Sequence, residues 1–231
     1  MTTESKRRPQ RKKKESFADR AYRELRRRIL ENVMTSGQQY TEQDLAALLR
    51  MSRTPTREAM LRLANEGLVE IRPRHGMRIK PISVTDMREI YEVLTALESA
   101  AAGLAAASAQ SEPYLEGMRD AIREMESALA IDDLKGWAKA DERFHTLLVA
   151  SAGNHRLVEQ VETFVGQAHR VRMLTLRLRP KPSTSNRDHA ELVEAIAAHD
   201  ADRAREIHRI HRERSGTMLV ELLQTHGLTQ L

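Results

Sequence analysis

The chain has 231 residues, enough for one large domain or two small ones, and its 40% hydrophobic content is enough for a packed core. Aromatic residues make up only 3%, which favours helix over sheet, and the absence of cysteine rules out disulfides, thiolate metal sites and cysteine nucleophiles. The net charge of +5 divides unevenly: residues 1–14 carry +6, residues 15–80 carry +4 and residues 81–231 carry −5. The front third therefore suits a polyanionic partner and the remainder does not.

Residues 1–15 have no apolar residue after Met1 and read as a disordered basic arm, either a solubilising tail or a segment that tracks phosphates. Lacking an apolar stretch behind its basic start, this arm is no signal peptide. "ALESAAAGLAAASA" is too short and alanine-rich to span a membrane, so the expectation is a soluble, cytoplasmic protein without a membrane partner.

Residues 16–81 follow one pattern. A helical stripe runs through Ala18, Tyr22, Leu25, Ile29 and Val33. Thr41 sits where an N-cap belongs before "EQDLAALL", with Leu45, Leu48 and Leu49 inward. "RTPTREAMLRLANEG" starts a third helix, with Pro55 in its first turn, Thr56, Met60 and Leu63 inward, and Gly67 at its stop. "LVEIRP" and "MRIKPI" flank a tight turn and read as a β-hairpin. This order is that of a winged helix-turn-helix.

Residues 82–228 carry only helical patterns, at about 83–108, 112–130, 132–151, 154–178, 186–198 and 200–225, boundaries good to about ±2–4 residues. "RPKPSTSN" at 179–186 is the one Pro/Ser-rich connector. The fold class is mainly α: an N-terminal winged helix-turn-helix followed by an all-α antiparallel bundle.

Ser52, Arg53, Thr54 and Arg57 cluster at the start of the third helix, the end of a recognition helix that meets base edges and phosphates. Arg72, Arg74, His75, Arg78 and Lys80 surround the hairpin turn, where a wing meets DNA backbone or minor groove. Either cluster alone is compatible with a solvated helix face or loop. Both together, each where the layout needs it, point to duplex DNA.

In the bundle, Asp141 and His145 lie at i, i+4 on a face shared with Trp137, Phe144 and Leu148. The pair alone fits a metal or a satisfied Asp–His hydrogen bond. His189 lies on a stripe with Leu192, Val193 and Ile196, and His211 on one with Ala204, Ile207, Met218 and Leu222. Three inward histidines and one aspartate suit a divalent ion, zinc or nickel first. His208, one turn from His211, is the competing assignment, whereas His155, His169, His199 and His226 read as surface or pocket-rim residues. The chain has no HExxH motif, triad or phosphate-cradling glycine loop. The alternative reading is a metal-dependent hydrolase with an accessory nucleic-acid-binding domain.

"SRTPTREAMLRLANEGLVE" with the "RHG" wing closely resembles the winged-helix domain of GntR-family bacterial transcription regulators, and the helices beyond it resemble the FCD domain of the FadR subfamily, over about residues 17–225. The resemblance implies DNA contacts at Arg53, Thr54, Arg57, His75 and Gly76, beside Arg74 of the basic wing cluster, with Gln43 where some members use arginine. It also implies metal ligation by Asp141, His145, His189 and His211, since the spacing from His189 to His211 is the family's. By the same resemblance the effector is a small carboxylate, but Leu94 stands where many relatives place an arginine that holds it. Arg170 and Arg172 are substitutes for that arginine, although they read more simply as solvent-facing. The expected whole is a ligand-responsive repressor, acting as a homodimer on double-stranded operator DNA.

Overall fold

The computed structural model describes residues 15–228; the basic arm, apart from Glu15, lies outside the described residues. The chain runs α1 (Phe17–Leu30), β1 (Gln39–Tyr40), α2 (Glu42–Leu49), α3 (Arg53–Asn65), β2 (Val69–Arg72) and β3 (Gly76–Ile79). It continues as α4 (Val84–Ala107), α5 (Glu112–Ala130), α6 (Leu134–Ser151), α7 (His155–Leu174), α8 (Ser183–Ala197) and α9 (Ala201–Thr225).

Local signals set most of these boundaries. Thr41 and Asp44 form a reciprocal capping box at α2, and Ser83 and Asp86 form another at α4. Gly67 ends α3 in a left-handed conformation, φ +68°. The hairpin pairs Val69 with Ile79 and Arg72 with Gly76, antiparallel. The sequence reading did not anticipate β1, whose two residues pair with the other edge of β3 to give the order β1-β3-β2. Two residues are too few to show an alternating pattern; only the free edge of β3 makes them a strand.

Ala21, Leu25, Ile29, Leu45, Met60, Leu63, Met77 and Ile79 form the core of this front unit. Two residues expected to face inward are exposed instead: Val33 lies beyond the end of α1 and Leu48 is on the outer side of α2.

The bundle packs around two apolar clusters, one drawn mainly from α5, α6 and α8, the other from α4, α7 and α9. By length and composition α4 could cross a bilayer, yet 56% of its most apolar stretch is buried in the protein, as befits a bundle core helix. The α7–α8 connection is displaced from expectation: α7 stops at Leu174, four residues early, and α8 starts at Ser183, three early. Pro180 and Pro182 keep helix out of the connection, Pro182 standing at the N-cap of α8, and the Ser-Thr-Ser-Asn run is tolerated in a first turn. Residues 175–182 are thereby freed to line a cavity beside α6 and α9.

Candidate metal centre and nucleic-acid interface

Asp141, His145, His189 and His211 are all buried, and α6, α8 and α9 bring them to one place. One ring nitrogen each of His145, His189 and His211 lies within 4.8 Å of the others. Asp141 Oδ1 is 3.7 Å from His145 Nε2 and 3.8 Å from His189 Nε2. Those separations are too long for hydrogen bonds but are what donors sharing one small ion, each about 2.0–2.2 Å from it, would keep.

Neighbouring carboxylates turn two of the rings. His145 Nδ1 donates to Glu98 Oε2 at 2.9 Å, and His211 Nδ1 donates to Asp188 Oδ2 at 2.9 Å. In the neutral rings that an ion would require, each bond leaves Nε2 as the lone-pair nitrogen, the arrangement that orients metal-ligating histidines. Without an ion, burial works against the charged form of His145, but Glu98 and Asp141 outweigh it and raise the ring above its ordinary value. His189, stacked on Phe144 with ring centroids 4.1 Å apart, has no hydrogen-bond partner at either buried nitrogen. Leaving a buried imidazole unsatisfied costs about 1–3 kcal/mol, and an ion shared with its three neighbours would remove one of the two orphans. The donor set therefore fits a divalent metal.

Burial alone would raise the carboxyl of Asp141, but the His145 imidazole and the Arg172 guanidinium outweigh it and hold the group well below the usual carboxylate range. Burial drives His189 well below its ordinary value, so the ring is neutral.

The sequence reading missed Glu98, Asp188 and Arg212. Glu98 on α4 is fully buried, meets His145 and His208, and accepts from Arg212 Nη2 at 2.6 Å. Its signal was available: an acidic residue on the apolar stripe of Leu94, Ala101 and Ala105. His208, the competing ligand, is instead bound to Glu98 at 3.1 Å, and burial takes it down to about 3. Among the other histidines, His155, His199 and His226 are exposed; His169 is half-buried beside Glu142.

Arg170 and Arg172 are not solvent-facing; both are buried. Their α7 positions face opposite partners. Arg172 Nη1 donates to Asp141 Oδ2 at 3.1 Å, so the buried aspartate already has one cation. Arg170 Nη1 donates to the backbone carbonyl of Lys80 at 2.9 Å, where the front unit joins the bundle. A cavity of about 190 Å³ opens beside the histidines, with Arg172, Arg179, Trp137 and Tyr91 in its wall. Arg170 is absent from that wall.

The front unit presents a second site. Gln43, Ser52, Arg53, Thr54 and Arg57 are exposed, and the Ser52 side chain accepts no hydrogen bond from the α3 amides. Gln43, Arg53 and Arg57 share one groove with Arg72, Arg74 and Gly76 of the wing. Gly76 is required at the turn: its φ is +83°, and a Cβ there would stand 2.0 Å from the carbonyl oxygen of Tyr40. His75 is exposed at the wing tip, where its carbonyl accepts from Gln39 Nε2 at 3.2 Å.

A model of the FCD domain matches residues 89–214, and a model of bacterial regulatory proteins of the gntR family matches residues 17–79. The chain belongs to the GntR family and carries an FCD domain. Its relatives include an uncharacterised HTH-type transcriptional regulator in the TAR-I ttuE-ttuC' intergenic region of Agrobacterium vitis. That protein is 48% identical over 134 residues, 57% of this chain and 78% of the relative. The HTH-type transcriptional repressor RspR of Escherichia coli K12 is 28% identical over 181 residues, 78% of this chain and 79% of that protein. E. coli McbR/YncC has the same fold, with a TM-score of 0.75 at 18% identity over 90% of this chain and 98% of its own. This GntR protein is therefore a transcription regulator with an HTH DNA-binding domain, and the hydrolase alternative is set aside.

Proposed function

We propose that this GntR regulator is a cytoplasmic, ligand-responsive repressor that binds operator DNA as a homodimer. Residues 16–81 read the DNA, and residues 82–228 hold a divalent metal and a small carboxylate effector. The observation that carries the ligand-binding half is the pair of buried, unpartnered ring nitrogens on His189, set among His145, His211 and Asp141 and beside an arginine-walled cavity.

On the DNA side, Arg53 and Arg57 project from the start of α3 at one-turn spacing into the groove shared with the wing. Each can take a guanine bidentately, which is worth about 1–3 kcal/mol against a wrong base. Ser52, Thr54 and the free α3 amides suit phosphates, and Arg74, His75 and Gly76 place the wing tip on the adjacent groove. Gln43 lies beside them as a neutral contact.

On the effector side, Asp141, His145, His189 and His211 would hold the ion, zinc or nickel by donor type. When bound it supplies a positive, Lewis-acidic anchor for a carboxylate. This chain's Arg172 reaches that anchor while tied to Asp141.

Helix α7 gives the pocket a route to the DNA-reading unit. Arg172 sits at its pocket end. Gln167 Nε2 donates to the carbonyl of Glu66, the C-cap of α3, at 3.1 Å, and Arg170 holds the Lys80 carbonyl. An effector that draws on Arg172 thus acts on a helix hydrogen-bonded to the recognition helix. Its effect on operator affinity equals its differential affinity for the two arrangements, typically worth about 1–3 kcal/mol.

The test is a mobility shift on the DNA upstream of the protein's own gene, with protein of measured metal content titrated with organic acids. Release of the shifted band by one acid in metal-loaded protein supports the reading. Binding that no acid alters, in the loaded and the chelated protein alike, refutes it.

A further inference from the structure

We infer that Arg179 is a specificity-determining residue of the effector cavity and selects an acid with two carboxylates over one with a single carboxylate. This inference rests on the carboxylate-effector reading and narrows it to the class of small dianionic acids.

The charges around the cavity carry the inference. Five cationic side chains line it: Arg172, Arg179, Lys181, Arg212 and Arg214. Four of them have carboxylate partners. Arg172 pairs with Asp141, Arg212 with Glu98, Arg214 with Asp188, and Lys181 with Asp132 at 2.7 Å. Among the described residues Arg179 has no such partner. Its Nη2 donates to the backbone carbonyl of Arg172 at 3.2 Å, and its buried Nε has no hydrogen-bond partner at all.

An arginine in a cavity wall that no protein carboxylate neutralises leaves its guanidinium charge for an anion that enters the cavity. Planar guanidinium and carboxylate match bidentately, and such charge-assisted pairs are about twice as strong as neutral hydrogen bonds. The pocket's charges also ask for more than one negative group. The five arginine and lysine side chains exceed their four carboxylate partners by one positive charge, and a divalent ion held by Asp141 and the histidines would raise the excess further. A monocarboxylate anchored beside Arg172 would leave Arg179 unmatched; a second carboxylate at the far end of a short acid matches it. The supply is local: Arg179 belongs to the segment between α7 and α8 that lines the cavity.

The experiment is calorimetric titration of zinc-loaded protein with matched acids that differ by one terminal carboxylate: lactate and malate, propionate and succinate, butyrate and glutarate. The parent should bind at least one diacid about 10-fold or more tighter than its monoacid partner, the scale of one added charge-assisted pair. Arg179→Gln should erase that preference while monoacid affinity stays within about 2-fold, and Arg179→Lys, which keeps the charge and loses the fork, should retain part of it. Equal affinity for both members of every pair in the parent, or an undiminished diacid preference in R179Q, overturns the inference and leaves the carboxylate reading standing. If no acid of either kind binds the loaded parent, the effector reading itself falls and this inference falls with it.

Discussion

Arg172 Nη1 and Asp141 Oδ2 lie 3.1 Å apart with both side chains buried, so one ion pair ties α7 to the face of α6 that carries His145. The pair also decides how a bound ion and the protein share the work of compensating Asp141. Without the ion, Arg172 is the nearest full positive charge to that carboxylate. With it, the compensation is shared.

Arg172→Gln should therefore destabilise the metal-free protein more than the metal-loaded one. Removing one member of a buried pair costs about 3–5 kcal/mol, and the loaded form should recover a large part of that. Thermal unfolding of parent and variant, each with and without a chelator, reads the difference. Identical losses in both forms would separate Asp141 from the ion.

Glu98 touches no proposed ligand atom, yet its substitution should weaken metal binding. Glu98→Gln removes the carboxylate that orients His145 Nδ1 and leaves Arg212 without its buried counter-charge. Metal affinity should fall by about 10–100-fold, the usual cost of losing an outer-shell partner, and urea unfolding should show lower stability. Unchanged affinity in a competition titration would reduce Glu98 to a purely structural partner of Arg212.

At the DNA interface, Arg53→Ala and Arg57→Ala should each cost about 1–3 kcal/mol of operator binding and relax selection at the base each one reads. Helical content and melting temperature should hardly move, because both side chains are exposed. Anisotropy titrations against the operator and a scrambled duplex separate the cases. An equal loss on both duplexes would make these arginines phosphate contacts.

Gln167→Ala should uncouple the two halves while leaving each half functional. The substitution removes the hydrogen bond to the Glu66 carbonyl at the end of α3. Operator affinity without effector and effector affinity without DNA should both stay near the parent's, but the factor by which effector weakens DNA binding should shrink. A full-sized effector response in the variant would move the coupling to another route, such as Arg170 and Lys80.

The front unit was legible because its information is local. A capping threonine, a stop glycine, a stripe of Tyr22, Leu25 and Ile29, and a turn between two apolar runs each specify their own few residues. The histidines were legible for a related reason: polar residues on apolar stripes announce burial. What the sequence hid is contact between distant segments. Nothing near Arg172 in the sequence indicates that it meets Asp141, and arginines on a helix read most simply as solvent-facing. Glu98 reaches His145 across 47 residues of chain and Arg212 across 114, so neither contact leaves a short-range trace. Strand β1 was invisible because its partner, rather than its own two residues, makes it a strand.

The most direct measurement is the operator dissociation constant of metal-loaded parent and of His189→Ala, each across a titration with the acid that releases the parent from DNA. The parent's constant should rise about 5–150-fold, the usual span of allosteric coupling. His189→Ala should bind the operator like the acid-free parent, hold less metal, and keep that constant at every acid concentration. A variant that lost the metal and still released DNA with the parent's response would contradict a metal-centred sensor in the helical half.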